Sequence, residues 1–191
     1  MVGGGNSAHD MGEGLRGRRR WLLDALDNFE TLYLTPDTCV AAAILHQLAY
    51  VSLSVSLSDL HLAAGRLGSK GDGNLAEGAL RSWANSSDAT GTMVHVDRML
   101  ELAHKSLRDG SAATASFEVA TALFQGGLVS WAYHKLRGHG GHLGFDQIYI
   151  GDVMRRTEEA GRALREMGCW RMCVMFGWIL KRFEGRSLVG S

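Results

Sequence analysis

A single proline, Pro36, is all that interrupts helix formation by main-chain chemistry in 191 residues. A proline ring blocks the carbonyl four residues back and removes a donor, so it is the most reliable helix breaker. Beyond Asp37 no such break exists, and the apolar residues recur at helical spacing. Leu22, Leu23, Leu26, Phe29 and Tyr33 do so before Pro36, and Met93, Val96, Met99, Leu100 and Ala103 do so well after it. The expected fold is all-α, one irregular domain of about seven helices, with no sheet of more than two short strands.

Punctuation along the chain divides these helices. Residues 1–15 are rich in glycine and polar side chains and read as a disordered tail, leaving 16–191 as the helical domain. Thr35 or Asp37 is placed to cap the helix that follows Pro36. Val51 to Ser58 alternates apolar residues with serine, the local mark of a strand. Ser56 with Asp59 offers a capping box, which favours two helices with a kink, the second starting at Leu57 and stopping at Gly68. Gly68–Gly73 reads as a loop, followed by a short helix marked by Leu75, Ala79, Leu80 and Trp83. Asn85–Asp88 reads as a turn, and Ala115–Leu136 as a long apolar helix containing Trp131, which is expected to be buried. Gly138–Gly144 reads as a connector. Val153–Met167 reads as an exposed helix with Glu158–Arg162 and Arg162–Glu166 as spaced ion pairs, and Trp170–Phe183 as a closing apolar helix.

Charge limits the partners. Twenty basic and twenty acidic side chains cancel, and nucleic-acid affinity comes mainly from an excess of Lys and Arg. Arg16–Arg20 is a short basic cluster that reads as a solvated helix start or as a nuclear address. Cys39, Cys169 and Cys173 make an odd number at no disulfide-framework spacing, which favours a reducing compartment. The first residues lack a basic start followed by an apolar run, so no signal peptide is expected. Thr38–Ser58 carries no formal charge and has the length of a membrane span. His46, Gln47, Tyr50 and four serines within it favour a buried core segment and no membrane association.

No constellation rises to an active site. His134, His139 and His142 cluster, but a glycine run cannot fix imidazoles in metal geometry. Cys169 and Cys173 share a helix face without a second ligand pair and read as buried thiols. His46, His61, His95 and His104 sit singly in helical patterns, and the glycine strings lack the spacing of a phosphate loop. No catalytic residue, cofactor or metal ligand is expected.

Four segments, in order and with matching gaps, resemble the C-terminal half of the fungal-specific transcription factor domain, the helical regulatory region of zinc-type fungal transcription factors. They are HQLAYVSLSVSLSDLHLAAGR (His46–Arg66), ALRSWANSSDATGTMVHVDRMLELA (Ala79–Ala103), ATALFQGGLVSWAYHKL (Ala120–Leu136) and MGCWRMCVMFGWILKRF (Met167–Phe183). The resemblance covers about residues 40–185, with departures at Ser56, Val96, Gln125 and Gly126. It implies a nuclear regulatory module, or a cytoplasmic one failing that, which carries no catalytic residues. Three cysteines make neither a two-Cys two-His finger nor a six-cysteine cluster, so it also implies a shortened member without its DNA-binding module.

The expected function is therefore transcription regulation through protein contacts, with a small-molecule effector as an open possibility. The rivals are a small helical enzyme or ligand-binding protein using pocket histidines such as His95 and His134, and a scaffold that self-associates through exposed apolar helices. A shortened domain is expected to meet a protein partner or a second copy around Ala41–Val55, and to have no sequence-specific affinity for DNA alone.

Overall fold

Ser56 decides the stretch that alternates apolar residues with serine. Its backbone is extended (φ −70°, ψ 108°) and its hydroxyl accepts a hydrogen bond from the Asp59 N–H at 3.2 Å, the cap of a new helix. The computed structural model describes residues 7–35, 38–65, 69–110, 116–137, 145–167 and 171–184. These form eight helices: α1 Ser7–Tyr33, α2 Val40–Ser54, α3 Leu57–Ala63, α4 Lys70–Ala84, α5 Ser87–Asp109, α6 Phe117–Leu136, α7 Phe145–Glu166 and α8 Arg171–Glu184. There is no strand among the described residues, so the fold is all-α, with α2 and α3 as separate helices bent by 76°. No single described helix is long and apolar enough to cross a membrane; only the bent pair α2 and α3 reaches that length and composition together.

The chain divides into two compact units, 1–38 and 39–191, where the sequence suggested one domain from residue 16. In the first unit α1 already begins at Ser7, inside the expected tail. Once an amphipathic stretch has nucleated a helix, adding residues costs little, about 1 kcal/mol for a glycine, so composition alone misplaces such a start. Arg16–Arg20 therefore lies within α1 and not at its beginning. Thr38 donates to the Tyr33 carbonyl at 2.9 Å and closes α1. The N-cap of α2 is Cys39 without a side-chain bond, so Thr35 does not cap that helix, and Asp37 lies outside the described residues.

In the second unit α6 is the axis, contacting α2, α3, α4, α5, α7 and α8. It is buried nearly all round, with Leu123, Leu128, Val129 and Ala132 fully covered and Trp131 only 6% exposed, as its spacing predicts. Two glycines let neighbours approach it. A Cβ on Gly126 would lie 2.7 Å from Leu100 of α5, and one on Gly127 would lie 2.6 Å from Leu180 of α8. Gly126 is thus where α5 comes close.

Two sequence expectations need correction. The glycine-rich stretch read as a loop to Gly73 is helical from Lys70, because Ser69 and Asp72 form a full capping box. The Ser69 hydroxyl and backbone N–H hold the Asp72 carboxyl below its ordinary value of 3.8. The preceding helix ends at Ala63, closed by Gly65 at φ +90°, before the expected stop at Gly68. The second correction is α7, expected to be exposed. Thr157, Ala160, Gly161, Ala163 and Leu164 are buried in it, as is Met167 just beyond its end. Its inner face is built mostly from small residues that carry little hydropathy, so the sequence signal came from the charged outer face alone. The α7 ion pairs include Arg155–Glu159 at 3.1 Å and Arg156–Asp97. Gly138–Gly144 lies outside the described residues.

Candidate functional site

Polar side chains gather at two places in the second unit. The first is the seam between α2 and α5. The Gln47 amide, 1% exposed, donates through Nε2 to His46 Nδ1 at 3.2 Å and accepts at Oε1 from His95 Nδ1 at 2.9 Å. Tyr50 stacks on the His95 ring at 4.1 Å, nearly parallel, and meets the His46 ring edge-on at 5.1 Å. This arrangement uses both ends of one amide to join two rings, so two histidines that look solitary in sequence are tied into one network. Its effect is to fix the register of α2 on α5, since a buried amide missing either partner costs about 1–3 kcal/mol.

His61 plays a related part on α3. It accepts from Gln125 Nε2 at 3.1 Å and meets Phe124 edge-on, and Phe124 in turn stacks on Phe176 of α8 at 3.9 Å. Gln125 is thus a tie between α3 and α6. His134 lies in the last turn of α6, while His139, His142 and Cys169 lie outside the described residues. Cys173 is buried and Cys39 exposed, and neither is in a disulfide. Among the described residues no group of His, Cys, Asp and Glu is placed to hold a metal ion.

The second place is a cleft of about 260 Å³ between α5 and α7, lined by Asp97, Leu100, Glu101 and His104 from α5 and Arg155, Arg156 and Glu159 from α7. Asp97, Glu101 and His104 follow one another at four and three residues, which puts them on one helix face. That spacing was legible in the sequence and its significance was missed, because the second wall comes from a distant helix. Asp97 pairs with Arg156 and Glu159 with Arg155, so four of the charges neutralise one another. Burial lowers the pKa of His104 below the ordinary 6.5; Glu159 opposes that shift, and Arg108 and Arg162 reinforce it. The cleft can hold a neutral imidazole near carboxylates, which is a proton-accepting arrangement.

A test of this electrostatic picture follows from linkage. A histidine whose folded pKa is depressed contributes stability that is complete above its unfolded value near 6.5, and that is lost as pH falls towards the folded value. Thermal melts of the unchanged chain and of His104→Gln between about pH 5 and 8 should therefore diverge with pH. The unchanged chain is expected to lose more melting temperature than the variant as pH falls below 6.5. Parallel curves would mean that His104 is not held neutral.

Comparisons with models of protein families, with curated proteins and with solved structures find no match to this chain.

Proposed function

We propose that the chain is a transcription-regulatory domain that acts through protein contacts and has no DNA-binding or catalytic residues of its own. The observation that carries this reading is the packing of the four segments that resemble the fungal regulatory domain. They supply α2 with α3, α4 with α5, α6 and α8, and these helices pack on one another around α6. Short apolar motifs that each resemble the family, and then meet in one core, support the reading better than any single motif does. The histidines of the first two segments add to this support, since Gln47 joins His46 to His95 between helices. By this reading the chain works in the nucleus.

Fused to a heterologous DNA-binding module, the chain is expected to change transcription of a reporter several-fold at matched expression. An unchanged reporter contradicts the proposal. Without that module, fluorescence anisotropy with duplex DNA at physiological salt should give only weak, salt-sensitive attraction, because the formal charge balances. Nanomolar, sequence-selective binding would overturn that part. A second reading, a small helical enzyme using a pocket histidine, is favoured by one observation, the placement of His104 in the charged cleft.

A further inference from the structure

Helix α8 has two opposite faces with different chemistry. Cys173, Gly177 and Leu180, spaced at four and three residues, are buried against the rest of the second unit. Leu180 reaches Gly127, and the Gly177 carbonyl accepts from Arg165 Nη1 at 3.1 Å. Diametrically opposite, Arg171, Met175, Trp178 and Arg182 form a stripe about 16 Å long, at 1.5 Å per residue. Met175 and Trp178 are 53% and 55% exposed, although each is large and apolar. Arg171 and Arg182 bracket them, and Lys181 sits over the Trp178 ring at 5.0 Å. No carboxylate among the described residues pairs with these three cations or with Arg165.

We infer that this face of α8 docks an acidic amphipathic helix of a partner protein, an inference that rests on the protein-contact reading above. Charge complementarity selects the occupant. Three cations around a methionine and a tryptophan fit a segment with apolar residues on one side and Asp or Glu beside them. Tryptophan and arginine dominate binding energy at interfaces, and methionine adapts to irregular partners. An anionic membrane is the lesser fit. A helix lying in a bilayer surface buries a whole apolar face, and here the apolar face is committed to the core, leaving two side chains to insert.

The test uses the full chain and a synthetic helix of about 18 residues, five turns. Leu and Phe stand at i, i+3, i+4 and i+7, with Asp or Glu between. Anisotropy of the dye-labelled peptide should report micromolar binding that weakens with salt. Trp178→Ala and Arg182→Glu should each weaken it tenfold or more, with thermal melts unchanged because both side chains are exposed. Equal binding of a scrambled peptide of the same composition, equal binding by the variants, or binding to phosphatidylserine vesicles in place of the peptide would each overturn the inference. Peptide failure with a responsive tethered reporter removes this inference alone; reporter failure removes the functional reading beneath it.

Discussion

Replacing Trp131 with alanine is expected to destabilise the second unit by about 3–5 kcal/mol, the range for deleting a large core aromatic. The magnitude follows from position. Trp131 is 6% exposed on the helix that every other helix from α2 to α8 packs against. Its ring also carries the Lys135 ammonium at 5.1 Å, a contact that alanine cannot make. Close-packed interiors relax only partly, so the hole left by the ring is not simply refilled. Denaturant unfolding should show the loss as a lower midpoint with an unchanged slope. A change below about 1 kcal/mol would mean that the core is organised elsewhere.

Gly177→Ala and Gly78→Ala are expected to move stability in opposite directions. Both glycines sit inside helices, where alanine is favoured by about 1 kcal/mol on propensity alone. Around Gly78 nothing lies within 4 Å of a new Cβ, so the propensity gain should appear as a stabilisation of about 0.4–1 kcal/mol. At Gly177 the new Cβ would lie 2.6 Å from Arg165 Cγ and 2.9 Å from the Gly161 carbonyl oxygen. Backbone cannot rotate away as a side-chain end can, so α7 and α8 must separate, with a net loss of about 1–3 kcal/mol. The atoms nearest the same Cβ at Gly127 belong to the Leu180 side chain and not to backbone, so Gly127→Ala should cost less. Equal effects at Gly78 and Gly177 would contradict the close α7–α8 crossing.

These glycines also show why part of the structure was legible in the sequence and part was not. Trp131, the Ser56 break and the apolar repeats of α5 announce themselves through spacing, a local property. Gly126, Gly127 and Gly177 matter through what stands opposite them, and no local pattern records that. The inner face of α7 escaped for a related reason, since Ala160, Gly161 and Ala163 bury well without being very apolar. The cap at Ser69 and Asp72 was hidden by the glycines around it, although its residue types and spacing were present. At the sites, Gln47 is the clearest case. Nothing in the sequence says that the Gln47 amide joins His46 to a histidine 48 residues beyond Gln47. The cleft was half visible, as Asp97, Glu101 and His104 on one face, and closed only by arginines from α7.

The regulatory reading meets its most direct test in the tethered reporter when the core and the cleft are changed separately. The unchanged chain and His104→Gln should both alter reporter output several-fold and equally, because contact surfaces do the work and the cleft histidine does not. Trp131→Ala should weaken the response, because a loss of about 3–5 kcal/mol lowers the folded population of the unit. A response lost in His104→Gln with its fold intact, or no response from the unchanged chain, would contradict the account.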